Sequence, residues 1–544
     1  MKLLHKFFCA LICITIFCSC NSKNSGENYD FTFNLSANPG NLDPQLAEDF
    51  ASIDIIKNTF RGLMKENSDG SITPDAAESF TMSDDGLTYT FTLKDNIFWW
   101  NNSEFEAPLT ANDFVFAFMR IFNKSSSSPY MKDFLCIKNA NEIYNGNMNF
   151  TKIGVKAIDE KTVEFSLDYP YFEFTKLMSK TASFPCNQSF FESTKGRYGL
   201  AIETSISNGA FYVADWNYDP YWNENFIDLR RNTANFLPSY ETEEGETIQG
   251  EYEIFPRSVF YHIKSAEFDS QDFTAGDIDG YKLKNYDKKL FSGKTYSAYQ
   301  TKSYVLVANP QKTISDERLI SSLAAFTHDF EFESENLDGN ILERGGGIIP
   351  SAVSLMGRSY RGMVSDIALN ISEISPQRQW ETAYKDYPDG IGDVKITVPE
   401  SFPDPELVYD LTDAWREIFG VNFLVEIVSD VEYDLKKGDK NYDIILAELS
   451  TDENNPRDFF EIFSDEYDIT FSPDLSDDLD KISYAESLSE AVEILKNAEI
   501  TAVNSGLIIP LFYGYEYYIT DENASEIEYI PFSGDVIMRK AKMY

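Results

Sequence analysis

The segment that most constrains the fold is Asn441 to Phe463, NYDIILAELSTDENNPRDFFEIF. Ile444-Ile445-Leu446-Ala447 is a continuous apolar run, the signature of a short buried strand. The chain then turns polar through Ser450-Thr451-Asp452-Glu453-Asn454-Asn455-Pro456. Asn455 is pushed out of the helical region by the proline that follows it. A helical pattern restarts at Arg457-Asp458-Phe459-Phe460. A carboxylate just past the end of a buried strand stands where α/β sheets place ligands. Asp452 is therefore the first candidate for holding a ligand. The competing reading of the same residue is a loop aspartate that caps the next helix.

At 544 residues the chain is too long for one core, and several domains are expected. Its formal net charge is −43, from 46 basic and 89 acidic residues. That balance argues against nucleic acid, whose backbone demands basic patches. It also argues against electrostatic attachment to anionic lipid. The start of the chain is a targeting segment. Lys2, His5 and Lys6 precede the apolar run Phe7 to Phe17, which is too short for a membrane span and right for a signal peptide. Cys18-Ser19-Cys20 follows, and a small residue before a cysteine resembles the bacterial lipoprotein signal. In that pattern residues 1–19 are removed and Cys20 becomes the lipidated N-terminus. The alternative is a plain secretory signal cut nearby. Residues 20–28 then form a polar tether, and Cys136 and Cys186 are the cysteines that remain, as one disulfide or two buried thiols.

Ordered chain is expected from Tyr29, where Phe31, Phe33 and Leu35 alternate as in a strand. A helix is expected through Ile53, Ile56, Thr59 and Phe60. The Asp85-Gly86 turn opens a strand in which Leu87, Tyr89, Phe91 and Leu93 alternate with polar positions. Thr110 and Asp113 form an acidic capping box ahead of a helix with Phe114, Phe118 and Ile121 on one face. Ser239 to Lys264, with its acidic run Glu241 to Glu246, is read as a surface loop.

These pieces, in order, are Asn41-Leu-Asp-Pro44, Ala77-Glu-Ser-Phe80, Asp85-Gly-Leu-Thr-Tyr-Thr-Phe-Thr-Leu93, Trp100-Asn-Asn and Leu109-Thr-Ala-Asn-Asp-Phe-Val115. The series resembles the extracellular solute-binding proteins of oligopeptide and dipeptide ABC importers, family 5. It continues through Ser128-Pro-Tyr130, Ser207-Asn-Gly-Ala-Phe211, Phe273-Thr-Ala-Gly-Asp-Ile-Asp279 and Trp415-Arg-Glu-Ile-Phe-Gly-Val-Asn422. The resemblance covers residues 30 to 544.

The resemblance implies an α/β, two-lobed clamshell of the type II periplasmic-binding-protein class, with an additional third domain and discontinuous domains. Carried over, lobe I is 29–61, 191–301 and 518–544, the extra domain 62–190, and lobe II 302–517. It implies a lipid-anchored, monomeric cell-envelope protein facing the periplasm or exterior, which captures peptides and passes them to ABC permease subunits without a cofactor, metal or nucleic acid. Aligning the family's proline on Pro456 puts its peptide-anchoring aspartate at Asp452, next to Ser450. The other implied cleft residues are Phe50, Ala51, Tyr130, Asn208, Gly209, Ser303 and Tyr304. This chain departs from the family pattern at Leu449, Glu453 and Asn455, where an aromatic residue on each side of the aspartate and an acid before the proline are usual. Asp404 and Leu446 stand where relatives that take short peptides carry cations for the peptide's carboxyl end.

Two other function classes stand beside this one. An enzyme would need a catalytic constellation, but the mature chain holds only His262 and His328, with no Gly-x-Ser-x-Gly, His-Glu-x-x-His or phosphate-loop motif. Gly345-Gly346-Gly347 lacks the lysine of a phosphate loop. A sensor, adhesin or binder of a non-peptide solute on the same scaffold remains the second reading.

Overall fold

The computed structural model describes residues 29–544 apart from 102–105, 222–223, 234–235, 238–239, 242–246, 249–250, 253, 284–294, 338–340, 365–366, 368–373, 468, 470–474, 476–478, 480, 483 and 486. Cys20, the signal segment and residues 242–246 of the acidic run lie outside the described residues.

The apolar run at 444 becomes the strand Ile444–Leu449, in the interior of a seven-stranded sheet. It is antiparallel to Thr295–Ala308 on one side and parallel to Val394–Pro399 on the other. Its side chains alternate between two apolar clusters. Ile445, Ala447 and Leu449 join Phe459, Phe463, Leu495 and Ala498. Ile444 and Leu446 join Leu319, Leu323, Leu411 and Trp415. Both faces are thus covered by helices, which is why this strand carries apolar residues without alternation. Leu446 is fully buried, so truncating it to Ala would cost on the order of 2–5 kcal/mol.

A second sheet has four strands in the order Tyr29–Leu35, Pro256–Ile263, Phe226–Arg231, Phe211–Asn217. The first pair is parallel and the others antiparallel. Pro256–Ile263 therefore corrects the surface-loop reading of Ser239 to Lys264. It is an interior strand, but Arg257, Ser258 and His262 interrupt its apolar residues, so no continuous run announces it. The third sheet, Ala77–Met82, Thr88–Leu93, Thr162–Ser166, Val155–Ala157, is antiparallel throughout. Thr110 and Asp113 open the helix Ala111–Phe122, whose Phe114, Phe118 and Ile121 are fully buried. One apolar cluster runs from Phe31 and Phe33 through Phe91, Phe118 and Phe165 to Phe211 and Met538. The second and third sheets therefore differ in topology but share a continuous core.

Two long strands of the seven-stranded sheet, Thr295–Ala308 and Ile508–Thr520, pair side by side. At one end Tyr517 and Ile519 pack with Phe273 and Tyr281. At the other, Val305, Leu306, Ile508 and Ile509 enter the clusters that flank Ile444–Leu449. Their register slips between Tyr299 and Lys302, opposite Gly514 to Glu516. A Cβ on Gly514 would lie 2.7 Å from the Tyr304 ring, so the glycine lets the strands pass.

Cys136 and Cys186 are both buried free thiols. Among the described residues, no helix is long and apolar enough to cross a membrane, and no cluster of metal-ligating side chains occurs.

Candidate functional site

Two cavities, about 380 and 660 Å³, open between the shared core and the seven-stranded sheet. Phe50, Asp452, Ser533 and Asp535 line both, so the two are halves of one cleft. One wall is the helix Phe50–Thr59. Asp49 caps it by accepting the Ser52 N–H at 2.8 Å. The loop 530–539 is strapped to this helix by Asn58, which donates to Val536 O at 2.7 Å and accepts the Met538 N–H at 3.1 Å. Lys57 pairs with Asp535 beside it.

The opposite wall begins where Ile444–Leu449 ends. Its ladder with Thr295–Ala308 stops at the pair Ser303–Leu449. Ser450, Thr451 and Asp452 then lead out of the sheet along the cleft. The helix Asp458–Tyr467 is capped by Asn455, whose side chain accepts the Arg457 N–H at 3.2 Å and donates to Asp458 at 2.6 Å. Asp452 is thus not the helix cap. Its carboxylate is exposed, faces both halves of the cleft, and has no hydrogen bond or ion pair among the described residues.

Its neighbours are engaged. Glu453 accepts from Lys180 at 3.0 Å, and Lys176 donates to the Asn454 carbonyl. Burial would raise the Glu453 carboxyl, but the ammonium of Lys180, with Lys176 behind it, brings it below its ordinary value. The Asn454 side chain donates to Glu66 and to Ser354, each at 3.0 Å. Glu453 and Asn454 therefore dock the loop after Ile444–Leu449 on the core, while Asp452 makes no such contact.

Asp54 faces the larger half of the cleft from the helix. Burial, with the Asp535 carboxylate close by, lifts its carboxyl to about 7, although Val536 donates its N–H to it at 3.2 Å. A folded-state value above the ordinary 3.8 means that the native chain holds this proton more tightly than the unfolded chain. The group therefore costs stability as pH rises from about 4 through 7. Asp54→Asn keeps the acceptor for Val536. It is expected to leave the urea midpoint unchanged near pH 4 and to stabilise the protein by roughly 1–3 kcal/mol at pH 8. An equal change at both pH values would contradict this.

Of the residues named from sequence, Asp452, Phe50, Ala51, Ser450 and Tyr130 lie on the cleft walls. Phe50 is 58% exposed, directly at its centre. Tyr130 lends its hydroxyl to Ala47 O and fixes the loop that leads into Phe50. The other four stand elsewhere. Asn208 is buried and brackets the Arg61 backbone, accepting its N–H at 3.1 Å and donating to its carbonyl at 3.0 Å. Gly209 packs on Thr59, where a Cβ would come within 2.5 Å of backbone. Ser303 is fully buried in the sheet, and Tyr304 packs on Phe402 with its hydroxyl donating to Glu448 at 2.9 Å. Thr301 and Lys302, just before them, are the residues that reach the cleft. Leu446 lies in the core and Asp404 accepts from Ser334 and Asn336, so neither faces the cleft. Lys57, Lys176, Lys180, Ser533 and Asp535 were not named from sequence. The turn cluster Pro531-Phe-Ser-Gly-Asp535 is the one local signal that marks any of them.

Comparison with known proteins shows what the chain is similar to. Residues 71–318 match the model described as bacterial extracellular solute-binding proteins, family 5 Middle. The matched stretch is similar to family 5 of the bacterial extracellular solute-binding proteins. The chain is 22% identical to the oligopeptide-binding protein OppA of Bacillus subtilis, across 95% of this chain and 93% of that one. Its fold is similar to the unliganded open form of the murein tripeptide-binding protein MppA, with a TM-score of 0.67, 21% identity, and 96% and 99% of the two chains covered. It is also similar to Listeria monocytogenes OppA bound to peptide, with a TM-score of 0.57, 17% identity, and 95% and 99% covered.

Proposed function

We propose that this protein is the substrate-binding component of an ABC importer and captures peptides between its two lobes. The observation that carries the reading is Asp452, an unpaired carboxylate at the middle of an interlobe cleft in a chain similar to family 5. A peptide's terminal ammonium is costly to enclose unless it meets an anion, and Asp452, just past the end of the sheet strand, is free to meet it. The backbone of Ser450 to Asp452, continuing a sheet strand, suits main-chain pairing with an extended peptide, which is indifferent to side chains. Phe50 supplies an exposed aromatic face for a side chain.

In this reading the lobes are 29–61, 191–301 and 518–544 against 302–517, with 62–190 as the extra domain. The register break at Tyr299 to Lys302 serves as the hinge. A ligand that touches both walls favours closure through contacts present only when closed. With Leu446 and Asp404 turned away from the cleft, no lobe II cation at those positions fixes peptide length. Lipid attachment at Cys20 keeps the monomer beside the permease subunits.

The test is calorimetric titration with peptides of three to nine residues and varied side chains. Saturable one-to-one binding across sequences is expected. Binding confined to a non-peptide solute would reject the reading.

A further inference from the structure

Lobe II holds another cavity, about 400 Å³, that shares no lining residue with the cleft. Its walls are Ala324 and His328 from the helix Glu317–Asp329, Arg344 with Gly345, Gly346 and Gly347, then Ile367, Val503, Ile509 and Pro510. The lining is mostly apolar, with Arg344 as its one permanent cation.

Arg344 is half-buried and its partners are all neutral. Nη1 donates to Leu511 O at 2.7 Å and Pro510 O at 3.4 Å, Nη2 donates to Thr327 O at 2.8 Å, and the guanidinium rests 4.9 Å from the Phe332 ring centroid. No carboxylate pairs with it among the described residues. In the same chain Arg120, Arg361 and Arg539 each meet one, in Asp43, Glu499 and Asp75. Burial brings the Arg344 value down to about 10, the direction expected of a cation whose charge is poorly compensated. Of its five N–H donors, Nε–H and one Nη2–H are unspent, and these two can form one fork. Asp329, at the end of the same helix, is exposed and sits 2.9 Å from the His328 ring. A cation without an anion among the described residues is a standing cost that an entering anion would relieve.

We propose that this cavity binds a small amphipathic monoanion. Its carboxylate takes the free fork of Arg344, and its aliphatic or aromatic body lies against Ile367, Val503 and Ile509. The site is separate from the cleft and does not depend on what the cleft binds.

The experiment is calorimetry of the full protein with octanoate, octanol and octylamine. Octanoate is expected to bind one-to-one, and the neutral and cationic analogues not to bind. Arg344→Gln should weaken octanoate about ten-fold or more, the effect of losing a charged hydrogen-bond donor. Ala324→Leu, which narrows the cavity and leaves Arg344 in place, should weaken it as well, so the claim does not rest on one variant folding. Adding a cleft-binding peptide should not displace octanoate. Unchanged affinity in Arg344→Gln, equal binding of octanol, displacement by peptide, or no saturable binding to the wild type would each overturn the proposal.

Discussion

Replacing Asp452 with alanine is expected to weaken a peptide with a free amino end by roughly 2–5 kcal/mol, because the ammonium would then be enclosed without an anion. Folding stability should change by no more than about 0.5 kcal/mol, since the side chain is exposed and spends nothing on the fold. Glu453 cannot substitute, because Lys180 holds its carboxylate at 3.0 Å. The same peptide with its amino end acetylated supplies the control. It should bind weakly to the wild-type protein and be indifferent to Asp452→Ala, so that calorimetry of both peptides on both proteins isolates the pair. An equal loss for the free and acetylated peptides would assign Asp452 a role other than charge pairing.

Arg120→Met is expected to destabilise the protein by about 3–5 kcal/mol, read as a lower denaturant midpoint. Arg120 is buried. It donates to Asp43 at 3.0 Å, to Gln45 at 2.5 Å and to Cys186 at 3.3 Å, and lies over the Phe191 ring at 4.1 Å. Its removal strands the buried Asp43 carboxylate, which keeps only the Gln45 N–H at 3.1 Å. The damage should extend to the cleft. Gln45 ties this segment to Ala182 and Phe184, and the same segment leads through Asp49 into Phe50. Adding Asp43→Asn to Arg120→Met should restore part of the lost stability, because it removes the uncompensated charge. No recovery would show that the loss comes from packing rather than from the ion pair.

The Asp43–Arg120 pair also shows where sequence reading stops. Asn41 to Pro44 is recognisable as a turn from its own residues, but its partner lies 77 positions away and carries no local mark. Ile444–Leu449 was legible because both faces of its first four residues are dry, which forces an apolar run from Ile444 to Ala447. Pro256–Ile263 was hidden because polar residues break up its buried ones. The same division holds at the cleft. Asp452, Ser450, Phe50 and Ala51 sit at a strand end and a helix start, which local signals disclose. Lys176, Lys180 and Asp535 are single charges on short elements, and only the fold gathers them around the same space. The family resemblance implies Ser303 and Tyr304, on the second crossover between the lobes. The actual wall lies one and two residues earlier, at Lys302 and Thr301, where the register slip turns the strand.

The most direct test of the central claim is native mass spectrometry of the protein purified without added ligand. The account predicts co-purified peptides of mixed mass, released on denaturation and diminished in Asp452→Ala. A single bound species of non-peptide mass would contradict it.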